Sequence, residues 1–317
     1  MRRRILSIAG VLSLIAASGC GGGDQDGEDG GLQEVTAGVI AIVDVAPIYL
    51  GDQQGFFEER GIDLNLEVGS GGAASIPGVV SGDLDFAFGN VVSLIIAREQ
   101  GLPLQIISNG VATTGEQGAD FSAVVVKEDS PIESAADLEG ATVSANNLQN
   151  IGDTTVRASV RKDGGDPSQV EFVEMGLPDM SAAVEKEEID AAWVVEPFVS
   201  MALEDGHREI ASNFADGHPE LTVATYFTSE EVIAQDPELV DRLTAALEES
   251  LAYAAENPDE VREIMGTYTE MDEDLAGEVR LPAWPEEVNR ESVETMAELM
   301  HQDGLIDEIP DLNELYR

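Results

Sequence analysis

Three stretches of the 317-residue chain put polar or aromatic side chains where a predicted strand gives way to a predicted helix. Gly69-Ser70-Gly71-Gly72-Ala73-Ala74 is the first. Free backbone N–H groups and the positive end of a helix dipole would hold an anionic group there, with Ser70, Gly71 and Gly72 as contacts. The competing reading is a turn that simply needs glycine. Asn150-Ile151-Gly152-Asp153-Thr154-Thr155 is the second, preceded by Asn146-Asn147. Asn146, Asn150 and Thr154 are candidate ligand contacts, although Asp153 or Thr154 would serve equally as a helix cap. Trp193 and Glu196 form the third. An indole there would stack on a ligand, and a carboxylate would accept hydrogen bonds from an amine or amidine. The plainer alternatives are a core tryptophan and an acid at a helix N-terminus. Asp44 and Asn90 occupy equivalent strand ends nearer the N-terminus.

The elements that must position these residues alternate. Strands are predicted at 35–43, 62–68, 84–88 and 104–108, with helices at 48–60, 76–81 and from Asn90 to Gln100. The alternation restarts with strands at 121–126, 141–145, 170–174 and 189–195, and a short helix at 131–138. Further strands follow at 209–212 and 222–228, the second returning the chain to its first half. This pattern predicts a parallel α/β sheet, and ligands of such sheets lie beyond the carboxyl ends of the strands. From Ser229 to Tyr316 only helices are expected. The clearest spans 238–256, with Leu239, Leu243, Leu247 and Leu251 on one face.

The front end reads differently. Arg2-Arg3-Arg4 precedes an apolar run at 5–17 that is too short to span a membrane, then small residues and Cys20. Ala17-Ser18-Gly19-Cys20 resembles a lipobox, which makes Cys20, the single cysteine, a lipid anchor. Residues 21–31, glycine and acid, read as a flexible leash. Removing all 31 leaves about 286 residues, near the size where one core divides into two.

The net charge is −47, and loss of the three leader arginines takes it to −50. Such a surface excludes nucleic acid as a partner and is expected to repel itself in dilute buffer, as in salt-loving proteins. Enzyme motifs are absent. His207, His218 and His301 form no H-E-x-x-H pair, and the sequence has no G-x-S-x-G elbow, no P-loop and no second cysteine for a zinc site. The first glycine loop does fit G-x-G-x-x-A, but an exported chain rarely meets a dinucleotide. No cofactor, metal or catalytic residue is therefore expected.

Two stretches echo one another: Val79-Val80-Ser81-Gly82-Asp83-Leu84-Asp85-Phe86-Ala87-Phe88 and Val184-Glu185-Lys186-Glu187-Glu188-Ile189-Asp190-Ala191-Ala192-Trp193. Each reads as a helix end, a tight turn and a strand delivering an aromatic ring, as two similar lobes would require.

Taken in order, these pieces, with Ala46-Pro47, Gly55-Phe56-Phe57, Gly61-Ile62-Asp63-Leu64, Asp137-Leu138-Glu139-Gly140 and Glu196-Pro197, carry a family likeness. The chain resembles the extracytoplasmic solute-binding proteins of ABC transporters, in the nitrate/sulfonate/taurine and thiamine-pyrimidine-precursor branch. The resemblance implies a two-lobed, periplasmic-binding-protein-like α/β fold, each lobe a mainly parallel sheet flanked by helices and each with its own core. It places residues 32–118 and 225–317 in the first lobe, with a helical C-terminal segment, and 119–224 in the second. It implies hinge closure on a small solute, delivery to a membrane permease, and a monomer held at the outer face of the membrane by its lipid. Asp44 and Glu196 in one cleft would oppose a bare oxyanion, while the glycine loops favour an anionic group. An amino-sulfonate-like or heterocyclic nutrient suits both better than nitrate. Eukaryotic pyrimidine synthases share the fold but use a cysteine cluster missing here. An exported enzyme and a sensor docking to a receptor kinase are the alternatives.

Overall fold

In the computed structural model, which describes residues 31–317, the expected alternation is present with shifted boundaries. The leader, the lipobox with Cys20 and all of the leash except Gly31 lie outside the described residues. The first lobe runs β1 (Gln33–Val39), α1 (Ala46–Gln54), β2 (Ile62–Val68), α2 (Gly72–Ser81), β3 (Phe86–Asn90), α3 (Val91–Glu99) and β4 (Leu104–Ala112). The second runs β5 (Ser122–Val126), β6 (Thr142–Ala145), α4 (Ile151–Lys162), β7 (Glu171–Glu174), α5 (Leu177–Glu185), β8 (Ala191–Val195), α6 (Phe198–Glu204), β9 (Arg208–Ala211) and α7 (Asn213–Gly217). The chain then returns through β10 (Thr222–Ser229) to α8 (Glu230–Gln235), α9 (Pro237–Glu256), α10 (Pro258–Met265) and α11 (Arg290–Gln302).

The two five-stranded sheets have the orders β2-β1-β3-β10-β4 and β7-β6-β8-β5-β9, which correspond position by position. In each, one strand runs against the rest: β10 between β3 and β4, and β5 between β8 and β9. Those are the strands entered directly after the chain changes lobe, so the sheets are mainly parallel with one reversed member. The C-terminal helices pack on the first lobe. Leu239, Leu243, Leu247 and Leu251 of α9 are all buried, as their spacing demands.

Local chemistry explains where boundaries moved. The helix expected at 48–60 stops at Gln54 because Gly55 takes a left-handed φ of 86°, and a short 3-10 turn follows. The strand expected at 35–43 ends at Val39. Val43 instead donates its N–H across the seam to the carbonyl of Glu196 at 3.0 Å.

Separate cores are not what the structure shows. Residues 32–317 form one compact unit, and buried apolar side chains continue from one sheet to the other. The lobes are closed on each other, so their facing walls have joined the interior. The C-terminal segment adds to the closure. Arg280 pairs with Glu209 at 2.7 Å and donates to the carbonyl of Asp120, while Arg161 of α4 pairs with Asp303 beyond α11. Among the described residues no helix is long and apolar enough to cross a membrane.

Candidate functional site

A cavity of about 40 Å3 lies between the lobes, at the carboxyl ends of strands from both sheets. The first lobe contributes Ile40, Ile42, Asp44, Gly71, Gly72 and Asn90. The second contributes Asn146, Ile151, Leu177, Trp193 and Phe214. Outside it opens a chamber of about 510 Å3 that shares Ile40, Ile42, Asn146 and Leu177 with the cavity. Ser70 lines that chamber and not the cavity.

Asp44 follows β1 in a short 3-10 turn and is 3% exposed. Its Oδ1 has no hydrogen-bond partner. Burial pushes its carboxyl up to about 7, its own backbone N–H pulls the other way, and the charge of Asp120 adds to the rise. The same environment holds the phenols of Tyr226 and Tyr268 above their ordinary value, again chiefly by burial. Tyr268 stacks on Tyr49 with centroids 4.0 Å apart, and its hydroxyl donates to the carbonyl of Ile42 at 3.1 Å, fixing the approach to Asp44.

The glycine loop behaves partly as expected. Gly71 has φ of 143°, a region closed to side chains, and a Cβ there would press on the amides of Asn146 and Asn147 across the seam. Gly72 opens α2 so close to β3 that a Cβ would stand 2.4 Å from the Cα of Gly89. Both glycines line the cavity, and each is also required by the backbone, Gly71 by its φ and Gly72 by its close approach to Gly89. Asn146 donates to the carbonyl of Ser70 at 3.3 Å.

Trp193 forms cavity wall in mid-β8, and its orientation is set by a buried polar chain. Its indole Nε1 donates to Ser122 Oγ at 2.9 Å, Ser122 reaches Asn213 at 2.9 Å, and Asn213 donates to Thr155 at 2.6 Å. Phe214 meets the indole edge-on at 6.1 Å. On the opposite side Gly152 lies so close that a Cβ would stand 2.6 Å from Cε3.

Other expected contacts are committed elsewhere. Asn90 caps α3 by accepting from Ser93 N at 3.0 Å, and its Nδ2 donates to Asn150 Oδ1 at 2.8 Å. Asn150 caps α4 and also meets Ser93. The two amides expected to touch a ligand therefore touch each other; Asn90 still borders the cavity, and Asn150 does not. Thr154 is a correction: fully buried, it donates back along α4 to the carbonyl of Asn150 at 2.9 Å and does not line the cavity. Glu196 is a second. Its carboxylate accepts from Ser200 N, Ser200 Oγ and Arg280 N at 3.0, 2.8 and 3.0 Å, binding α6 to the C-terminal segment behind the cleft. Burial raises its pKa and those donors oppose the rise. Only one of the two expected carboxylates, Asp44, therefore faces the cavity.

Sequence reasoning missed Leu177, Phe214 and Tyr268. Leu177 was accessible, because Gly176-Leu177-Pro178 opens α5 after β7 in the same way as the loops that were chosen. Phe214 and Tyr268 carry no comparable local signal.

Residues 42–261 match the sequence profile of the family described as NMT1/THI5 like. A formylaminopyrimidine-binding protein of Halalkalibacterium halodurans is 23% identical over 225 residues, which cover 69% of this chain and 65% of that protein. A binding protein of Brucella abortus (strain 2308) is 24% identical over 226 residues, covering 70% and 67%. Among solved structures, the alkanesulfonate-binding protein SsuA of Xanthomonas axonopodis pv. citri bound to MOPS has a TM-score of 0.76 at 15% identity, covering 90% of this chain and 98% of that one. The matched profile takes in every strand but β1 and most of the cavity wall, and the chain belongs to the NMT1/THI5-like family, in the fold of the periplasmic solute-binding proteins.

Proposed function

We propose that the chain is the solute receptor of an ABC importer, tethered through lipidated Cys20 and the 21–31 leash at the outer face of the cell membrane. As a monomer it captures a small organic nutrient between its lobes and presents the closed form to a membrane permease. The observation that carries this reading is the cavity itself, walled from both lobes at the strand ends of two corresponding sheets. The segments that change lobe give the hinge such a receptor needs. The relatives' names agree in kind: one binds a formylaminopyrimidine and a fold neighbour binds alkanesulfonates.

The residues of the wall bear on the nutrient. Among the described residues, neither the cavity nor the outer chamber is lined by Lys or Arg, whereas Asp44 is present. Of the classes considered, nitrate and simple sulfonates fit this least, and a nitrogen heterocycle fits best. A thermal-shift screen of pyrimidines, sulfonates and aromatic acids in high salt tests the reading, because a ligand that binds only the folded state raises its melting temperature. Recovery of the bound compound unchanged supports a receptor. Conversion to product would replace this reading with an exported enzyme.

A further inference from the structure

We propose that the cleft selects a two-part ligand, a compact cationic nitrogen head received by Asp44 and an apolar body lodged in the outer chamber. The inference rests on the receptor reading and specifies what the receptor takes.

The head follows from an unmet bond. Asp44 is 3% exposed and lines the cavity, and its Oδ1 makes no hydrogen bond among the described residues. Buried polar atoms in folded proteins are almost always paired, and leaving a carboxylate oxygen dry and unpaired is costly. A ligand N–H placed in the cavity supplies the missing donor. The cavity's 40 Å3 admits only a group of a few atoms, since one water already needs about 10–15 Å3 of the same space. An amidine or an amino-substituted ring edge meets both limits. A sulfonate does not, because it would bring negative charge against Asp44 with no Lys or Arg on the wall to offset it. With Glu196 engaged behind the cleft, Asp44 sets the sign of the inner cavity, and Glu270 on the wall of the outer chamber carries the same sign.

The body follows from the second space. The outer chamber adjoins the cavity, sharing Ile40, Ile42, Asn146 and Leu177 with it, and adds Phe198, Met201 and Met271. At about 510 Å3 it is in the range of small-molecule sites, and its lining is mainly apolar. A head alone would leave that surface wet.

Calorimetric titration of the full chain at pH 8 in 2 M NaCl with benzamidine, acetamidine and benzenesulfonate tests both parts. Benzamidine is expected to bind, acetamidine at least tenfold more weakly, and benzenesulfonate not at all. Asp44→Asn is expected to weaken benzamidine at least tenfold while melting no lower than the parent, which shows that the variant folds. Equal affinity for acetamidine and benzamidine would overturn the role of the chamber. Unchanged benzamidine binding by Asp44→Asn would overturn the role of Asp44. Binding of benzenesulfonate without benzamidine sinks this inference but leaves the receptor standing. If none of these probes binds and no compound of the thermal-shift screen does, both readings fall.

Discussion

Asn90 Nδ2 stands 2.8 Å from Asn150 Oδ1, joining the caps of α3 and α4 across the seam between the lobes. Ser93 completes the knot, its Oγ meeting both side chains. Each asparagine ends a helix of its own lobe and uses its remaining capacity on the other. The closed arrangement therefore spends the same groups that hold the helix ends in place.

Asn150→Ala removes a cap and leaves the Asn90 amide without its partner. Loss of a cap costs about 1 kcal/mol, and the half-buried Asn90 donor left behind adds less than the roughly 1–3 kcal/mol of a fully buried one. The variant should melt lower, and small-angle scattering should show a larger radius of gyration as the lobes part. A lower melting point at unchanged radius would mean that the pair stabilises α4 without holding the seam.

Gly152→Ala probes the other wall. The new methyl would stand 2.6 Å from Cε3 and 3.0 Å from Cδ2 of Trp193. The indole cannot swing away freely, because Nε1 is tied to Ser122 and Phe214 stands at its edge. Overpacking of this kind costs about 1–3 kcal/mol. Tryptophan fluorescence should shift as the ring moves toward solvent, with Trp193→Phe identifying which of the two tryptophans reports it.

The sequence echo is a real structural repeat. Asp85 accepts from the N–H of Thr36 and Asp190 from the N–H of Thr142, both at 2.8 Å, and each aspartate's own N–H returns to the same threonine's carbonyl. Phe88 and Trp193, the aromatic ends of the two copies, both line the cavity. Signals of this kind are readable because the turn, the aspartate and the strand lie within ten residues. The alternation of strands and helices and the Asn90 cap were legible for the same reason. The local role of Glu196 at the start of α6 was open to reading, since Ser200 is four residues on. The Asn90 partner of Asn150 and the Arg280 partner of Glu196 were not, because they are 60 and 84 residues distant and no local pattern announces them. Contact with solvent or ligand was expected at strand ends generally, yet Asn150 is engaged across the seam, Thr154 along its own helix and Glu196 behind the cleft, and all three are interior groups.

The repeat also exposes one strained turn. Gly82 adopts φ of 80°, and its counterpart Glu187 adopts φ of 58° with a full side chain. A non-glycine residue there costs about 1–2 kcal/mol, against which glycine loses some unfolded-state entropy and the exposed pair with Lys127. Glu187→Gly should therefore stabilise the protein by about 0.5–1 kcal/mol in urea unfolding. A loss of stability would show that the turn is relaxed as it stands.

Salt should matter more broadly. Sixty-three acidic residues face 16 basic ones, and much of the basic complement is already engaged. Arg98, for example, is nearly buried between Glu230 and Glu314. The surplus negative charge repels itself until screening shortens to about 3 Å at molar ionic strength. The melting temperature is expected to rise by several degrees between 0.1 and 2 M NaCl, and a flat response would count against self-repulsion as a limit on stability.

Asp44 gives the sharpest pH prediction. Its carboxyl stands at about 7 in the fold against 3.8 for the free group, so the fold favours the neutral form. The cost of keeping it is absent below about pH 4, accumulates between pH 4 and 7, and is complete above 7. Asp120, Tyr226 and Tyr268 are the titratable groups coupled to it, and the tyrosines stay neutral throughout this window. Asp44→Asn should match the parent near pH 4 and exceed it at pH 8, by at most roughly 4 kcal/mol for about three pKa units. Urea unfolding of both proteins at pH 4.5, 6 and 8 in 2 M NaCl measures the difference. A cationic head beside Asp44 would favour its charged form, so benzamidine binding at pH 6 should release protons, visible as a binding enthalpy that changes with the buffer's heat of ionisation. A stability difference that stays constant with pH would mean that Asp44 is not desolvated in the free protein. The unpaired oxygen would then be hydrated already, and the cavity would offer a cation no particular advantage.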